Sequence, residues 1–418
     1  MRFPRILTLL LVLSIAPFAI AACGDDEPEN GTTEGGGGGS VNIYSSLPLQ
    51  GASEAQTKAM VQGIELALEE AGNKAGSIDV KYESLDDSTA QAGTWTPEST
   101  SANARKVAQD DKAVAYIGEF NSGASAISMP ILNEAGVAQV SPANTAVGLT
   151  TNEPGADKGE PDKYYPTGER HYLRIVPKDT IQGAALATIM KEDGCKNVAM
   201  ANDKEVYGAG LGRNIEGSLK EQQVELAFNE GIDPQASNFR SLAARAKSAG
   251  VDCFVFSGIT ANGSVQIFKD FAAALPKAKL YGPDGVAESG FADPKEGGIP
   301  NNVGSRVKVT VATLNPDSYP PEGQEFFSQF AEKYGEKNPD PYAIYGFEAA
   351  SLVLDAIERA GSADKAAVLK ALFETKDRES VLGTYSIDEN GDTTLTDYGV
   401  YSIEDGELVF DKTVKAEA

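Results

Sequence analysis

The chain has 418 residues but only one His, one Trp and three Cys. A single His excludes most His-based metal sites and argues against a Ser–His–Asp triad. Cations are also scarce: 36 Lys and Arg face 61 Asp and Glu, for a net charge of -25. No basic footprint exists to displace phosphate counterions, so nucleic acid is excluded as a partner. Short motifs of hydrolases, zinc proteases and phosphate-binding loops are absent. What the chain does have is apolar residues, 41% of the total. That is enough for a real core and excludes wholesale disorder.

The first 22 residues read as a leader. Arg2 and Arg5 precede an apolar run from Ile6 to Ala22, broken at Pro17. The run is short for a bilayer span and ends in small residues, as a secretory signal does. Ile20-Ala21-Ala22-Cys23 resembles a lipoprotein cleavage site, with Cys23 as the lipidated residue. Residues 23–40, rich in Gly and acid, form a hydrated tether. An ordinary signal peptide with an incidental Cys is the alternative.

From Val41 onward, short β-like runs alternate with helical periodicity. Candidate strands are 41–45, 78–82, 113–118, 137–141, 197–202, 224–228, 252–258 and 307–312. The clearest helix spans 53–71, where Met60, Ile64, Ala67, Leu68 and Ala71 share a face and Gly72 ends it. Others begin near Ser99, Ser125, Thr180, Gly208, Ser237, Gly263 and Gly323. Such alternation predicts an α/β fold with parallel sheets and right-handed crossovers. The tail differs: period-two alternation and the Asn390-Gly391 and Asp405-Gly406 turns predict antiparallel hairpins. Residues 88–98 and 151–170 read as Gly/Pro-rich loops on the surface or on the rim of a cleft.

Several possible chemical sites have plainer readings. Gly208, Gly210 and Gly212 fail the dinucleotide spacing at Arg213 and suit a helix start. Asp388, Asn390 and Asp392 have calcium-loop spacing, but Thr393 stands where that loop needs Gly; a hairpin turn fits better. His171, between Arg170 and Tyr172, is expected in solvent. Asp86-Asp87 is expected to form a strand-end turn with helix-start charge. The strand ends are more promising. Glu119-Phe120-Asn121-Ser122-Gly123 opens a helix whose free N–H groups suit a carboxylate. Pro142-Ala143-Asn144-Thr145 ends another strand, and ligands of open α/β sheets sit beyond such ends.

Taken in order, LPLQGA, YIGEFNSGAS, VAQVSPANTAVGLT, LRIVPKDTIQGAA, NDKEVYGAGL, YGPDGV, AIERAGS and YSIDENGD resemble the leucine/isoleucine/valine-binding proteins of bacterial ABC transporters. The resemblance covers nearly all of residues 41–418. It implies the type I periplasmic binding fold, with two Rossmann-like lobes joined by three crossing segments. Lobe 1 would be residues 41–175 and 313–383, and lobe 2 residues 176–312 and 384–418. The crossings would fall near Arg174–Pro177, Val311–Asn315 and Leu382–Tyr385.

The resemblance also implies a non-enzymatic, monomeric receptor without cofactor or metal. It would be exported, anchored on the outer face of the cytoplasmic membrane, and would deliver a small amino acid, branched-chain or aliphatic, to ABC permease subunits. By position, Ser122, Ala143 and Thr145 would hold the ligand carboxylate, and Tyr207 would form a wall or lid. Asp284 would hold the amine, where relatives carry Glu. Aromatics found in relatives near Gln56 and Ile259-Thr260 are missing here. Amides, urea and small aromatic acids are alternative ligands, and a ligand-sensing receptor ectodomain is an alternative role. An enzyme with Ser122 as nucleophile would need a base that the sequence does not supply. The family's sheet order would bring Cys195 and Cys253 to one sheet edge as a disulfide; two buried free thiols are the alternative.

Overall fold

The computed structural model describes residues 39–415. The leader at 1–22, Cys23 and nearly all of the tether lie outside the described residues. Within them the chain forms two α/β lobes, each built on one sheet. The first sheet runs in the order Lys74–Ala75, Ile78–Asp86, Ser40–Leu47, Ala113–Gly118, Ala138–Ser141, Tyr172–Arg174. Only its short edge strand is antiparallel. The central strand Ala113–Gly118 is buried at every position, as a parallel strand covered on both faces must be.

Helix Glu54–Glu70 covers this sheet beside helix Ala343–Ala360. The two approach so closely that a Cβ on Gly63 would lie 2.3 Å from the Ala343 carbonyl oxygen. A Cβ on Gly346 would lie equally close to the Met60 carbonyl oxygen. Glycine at both points allows the backbones to touch.

The second sheet runs in the order Glu225–Gly231, Asn197–Asn202, Cys253–Ser257, Lys279–Gly282, Val307–Val311, Asp397–Glu404, Glu407–Lys415. Its first five strands are parallel; the last two are antiparallel and close through the Asp405-Gly406 turn, where both residues have positive φ. This is the hairpin tail that the alternation predicts. All eight candidate strands are present, joined by the shorter Tyr172–Arg174 and Lys279–Gly282.

Cys195 and Cys253 are joined by a disulfide, their Cα atoms 5.8 Å apart. Cys253 opens its strand beside Val198, so the bond lies where the strands begin, away from their carboxyl ends.

The chain passes between sheets after Arg174, after Val311 and again between Tyr385 and Asp397. The third passage lies later than the expected Leu382–Tyr385. Those residues form a small antiparallel pair, Arg378–Ser380 with Gly383–Tyr385, and stay with the first lobe. Tyr385 donates a 2.7 Å hydrogen bond to Glu348 on helix Ala343–Ala360, and Arg378 pairs with the same carboxylate at 2.7 Å.

The first and third passages are joined by a fully buried cation. Arg174 Nε donates to Asp392 Oδ1 at 2.7 Å. Its Nη1 reaches the carbonyls of Ala146 at 2.8 Å and Asn144 at 3.3 Å, and its Nη2 reaches Thr150. Asp392 is thus more than part of the 388–392 turn: the guanidinium holds its carboxyl below the ordinary range against the pull of burial.

Two other sequence expectations are corrected. His171 is buried, not solvated: Asn133 Nδ2 lies 2.9 Å from its Nδ1, and the Tyr165 ring packs edge-on against it. Burial lowers its pKa to about 3. Asp86 does form a strand-end turn, accepting from Leu49 N at 3.0 Å and Ser88 N at 2.8 Å. Asp87 does not serve a helix start. It is wholly buried beside Glu119, and burial with that second acid pushes its carboxyl well up.

Candidate functional site

The carboxyl ends of the two sheets face each other across a cleft. At its centre lies a small cavity lined by residues of both lobes. Ser122, Ala143, Thr145, Tyr207 and Asp284 all line it, so the five residues nominated from sequence meet around one space. Phe120, Asn121, Glu205, Ile259, Gly285 and Tyr342 complete the wall.

The first-lobe side is made of strand ends. Ser122 is the first residue of helix Ser122–Glu134, directly after the buried strand Ala113–Gly118 and its short exit. First-turn N–H groups of a helix have no intrahelical acceptor, and the helix dipole adds partial positive charge there. Ser122 Oγ accepts from Ala146 N at 3.4 Å, which ties this turn to the neighbouring loop. That loop is shaped by Ser141, whose Oγ accepts from Ala143 N at 3.3 Å and Asn144 N at 2.9 Å. Thr145 follows, and its carbonyl accepts from Asp179 N of the second lobe at 2.8 Å. This side offers N–H groups and hydroxyls with no acid among Ser122, Ala143 and Thr145, which suits an anion.

The second-lobe side is acidic. Asp284 Oδ1 accepts from Tyr207 Oη at 2.5 Å and Gln182 Nε2 at 2.7 Å. Its Oδ2 accepts from Tyr342 Oη at 2.7 Å. Three side-chain donors occupy three of roughly four lone-pair positions, leaving capacity for one more donor on Oδ2. Burial raises the Asp284 carboxyl above its ordinary range, while the two tyrosines and Gln182 pull it back. Tyr207 therefore holds the acid as well as covering the cavity. Tyr342 does the same from the opposite lobe, at the start of helix Ala343–Ala360.

Two further acids stand nearby. Glu205 precedes helix Val206–Glu221 and lines the cavity. Asp179 begins helix Asp179–Glu192, is fully buried, and neither of its carboxyl oxygens makes a hydrogen bond. Burial and then the Asp284 charge push its carboxyl well up.

The lobes also meet outside the cavity. Ser53 Oγ donates to Glu288 Oε1 at 3.1 Å, and Ser289 Oγ donates to Asp340 Oδ2 at 2.9 Å. The loop at 151–170 reaches helix Val206–Glu221, where Arg213 Nη2 donates to the Gly155 carbonyl at 2.6 Å and pairs with Asp157 at 2.9 Å. The loop at 88–98 brings Trp95 over Gly123, whose Cβ would lie 2.8 Å from the indole. Both loops are cleft rims, one of the two placements that their composition allows.

Sequence reasoning missed Phe120, Asn121, Glu205, Gly285 and Tyr342. The first four lie inside the quoted motifs, one or two positions from nominated residues, without a role of their own in the sequence reading. Tyr342 carried a weaker signal, an aromatic just before an apolar helical run. Ile259 is the non-aromatic wall that the sequence indicates, and Phe120 and Tyr342, 6.3 Å apart edge to face, supply aromatic surface instead. No cluster of three metal-ligating side chains occurs among the described residues. None of their helices is long and apolar enough to cross a membrane.

A family model described as periplasmic binding protein matches residues 40–407. The Leu/Ile/Val-binding protein homolog 1 of Brucella melitensis is 26% identical over 367 residues, covering 88% of this chain and 91% of that relative. Among solved structures, the leucine-binding protein LivK of Thermotoga maritima superposes with a TM-score of 0.77 at 24% identity, over 90% of this chain and 99% of that one. A solute-binding protein of an R. palustris ABC transporter, in complex with benzoate, superposes with a TM-score of 0.73 at 21% identity, over 91% and 98%.

Proposed function

The chain belongs to the periplasmic binding protein family, and from that premise we propose that it is the solute receptor of an ABC importer. It captures a small α-amino acid between its two lobes and delivers it to the permease. The observation that carries this reading is the sorting of charge across one cavity. Helix-start N–H groups and hydroxyls at Ser122 and Thr145 suit the carboxylate, and Asp284 opposite suits the ammonium. Lobe closure would then be favoured by bonds to the ligand that only the closed state can make.

The name of the Brucella relative supports a leucine-like solute as the first candidate. A small aromatic acid is the second reading, favoured by the Phe120 and Tyr342 faces and by the benzoate bound to the R. palustris neighbour. The receptor is non-enzymatic and monomeric. Ser122 Oγ accepts from a backbone N–H and has no side-chain base bonded to it among the described residues, which supports a binding role. Export through the 1–22 leader and lipidation at Cys23 would hold it at the outer face of the cytoplasmic membrane, with residues 24–40 as the leash.

Titration calorimetry against amino acids, amides and aromatic acids tests the reading, together with native mass spectrometry of the protein as purified. Binding of α-amino acids that requires both the ammonium and the carboxylate is the expected result. Tight binding of benzoate or a simple amide, with no amino acid bound, would replace it by the second reading.

A further inference from the structure

The wall left for the ligand side chain is not apolar throughout. If Ser122, Ala143 and Thr145 take the carboxylate and Asp284 the ammonium, seven lining residues remain, Asn121 and Glu205 among them. These two are the ones whose side chains carry an amide or carboxylate oxygen. Asn121 is buried, and its side-chain oxygen makes no hydrogen bond. Glu205 has one carboxyl oxygen, Oε1, held by Asn262 Nδ2 at 2.8 Å. The other, Oε2, lies 3.3 Å from where a Cβ on Gly123 would stand, across the cleft on the opposite lobe.

We infer that Glu205 and Asn121 form a second polar subsite in this cavity, which selects an amino acid whose side chain carries an N–H donor, amide or ammonium, over an aliphatic one. The inference rests on the amino-acid reading above and narrows it, setting an N–H-bearing side chain in place of the leucine-like candidate. A buried acceptor without a donor costs free energy, and a ligand that supplies the donor removes that cost. An aliphatic side chain would leave the Asn121 oxygen unsatisfied and would desolvate the Glu205 carboxylate further.

The surroundings of Glu205 hold few donors: besides Asn262, the indole of Trp95, which also lies over Gly123, is the side-chain donor that bears on its carboxyl. Among the described residues no Lys or Arg forms an ion pair with it, and its charged neighbour is Asp203, another acid. Asp203 is itself engaged, with Oδ2 accepting from Ile259 N at 3.1 Å and Asn262 Nδ2 at 3.0 Å. Burial, with Asp203 adding to it, raises the Glu205 carboxyl to about 7. A ligand N–H donor, above all a cationic one, reverses that effect by favouring the ionised form.

Two pairs of isosteric amino acids test this. Asparagine and leucine share one branched shape, and ornithine and norleucine share one linear shape; the first of each pair carries an N–H donor and the second does not. Calorimetry of the wild-type protein should give the donor-bearing member at least a tenfold tighter Kd in at least one pair. Glu205→Gln should weaken ornithine by about tenfold or more while moving norleucine little, since the amide keeps the shape and loses the charge. Leucine and norleucine binding as tightly as their partners would overturn the inference and leave the amino-acid reading standing. So would a Glu205→Gln protein whose ornithine-to-norleucine ratio is unchanged. If no amino acid binds, the reading beneath fails and the inference fails with it. The wild-type pairs carry the test even if the variant does not fold.

Discussion

Tyr342 donates a 2.7 Å hydrogen bond to Asp284 across the cleft, from the first lobe to the second. The two residues lie 58 positions apart, and both are buried. A first-lobe hydroxyl thus holds the second-lobe carboxylate that we propose for the ligand ammonium.

Removing the charge of that carboxylate should therefore be costly to a zwitterion. Asp284→Asn is expected to weaken an α-amino acid by roughly 1.5–3 kcal/mol, the worth of a hydrogen bond to a charged group, or about tenfold to a hundredfold. A ligand without an ammonium should lose far less. Calorimetry on the two ligand types measures the difference; equal losses would move the ammonium elsewhere.

Gly290→Ala addresses closure instead of contact. A Cβ at Gly290, in the second lobe, would lie 2.1 Å from the Ala52 carbonyl oxygen of the first. The extra methyl should cost the closed state about 1–3 kcal/mol, as overpacking does. Ligand affinity should fall about tenfold, with little change in the melting temperature of the ligand-free protein. A matching fall in that melting temperature would mean that the residue serves the fold of its own lobe.

Acidity at the seam gives a pH dependence with a defined sign. Burial raises Glu288 to about 8 and Asp340 to about 6. Ser53, Gln56 and Thr260 moderate the first, and Asp340 raises it further. A carboxyl with a raised pKa contributes its stability fully below the ordinary carboxylate value. That contribution is lost as the pH rises through about 6 and then about 8. The closed form should be favoured at pH 5 over pH 8.5, and Glu288→Gln should flatten the upper part of the profile. Small-angle scattering or the pH dependence of Kd reports it. A profile that rises with pH would contradict the burial of these acids in the seam.

The disulfide is expected to act on stability alone. Cys195 and Cys253 enclose a 58-residue separation, for which the chain-entropy relation gives about 4 kcal/mol. The double variant Cys195→Ser, Cys253→Ser should unfold at a lower denaturant concentration. Ligand affinity should be unchanged, because the bond lies where the strands begin and the cavity where they end. A changed Kd would show that the bond shapes the site.

Anchoring is tested at the other end of the chain. Cys23→Ser should release the protein from the membrane fraction of its host, because two or more acyl chains hold a protein stably and none does not. A wild-type protein that is already soluble and unlipidated in that host would exclude the anchor.

The strand ends show what could be read from the sequence. Ser122 and Thr145 announce themselves because a buried β run stops, small polar residues follow and a helix begins; the signal is local. Asp284 and Tyr207 depended on resemblance, since nothing within a few residues says that they share a hydrogen bond. Tyr342 is harder still to read, because its partner lies 58 positions away. The burial of His171 is hidden in the sequence for a related reason. Its neighbours Arg170 and Tyr172 are polar, but the cover over it comes from Asn133 and Tyr165. Among elements, the Tyr172–Arg174 strand was too short to show alternation. The third passage was placed early because Leu382–Tyr385 has strand character, while the side chains that hold it in the first lobe, Glu348 and Tyr385, meet only in three dimensions.

The passage between lobes has one more implication, for which replacements it tolerates. Arg174 makes four N–H bonds to acceptors on two separate segments: Asp392 on one, and Asn144, Ala146 and Thr150 on the other. A guanidinium has five N–H donors in a fixed plane, and a lysine ammonium has three around a point. Lysine at 174 would keep the charge opposite Asp392 and still orphan at least one buried acceptor. The pivot of this molecule therefore distinguishes between two side chains of equal charge, and does so by the number and direction of their hydrogens.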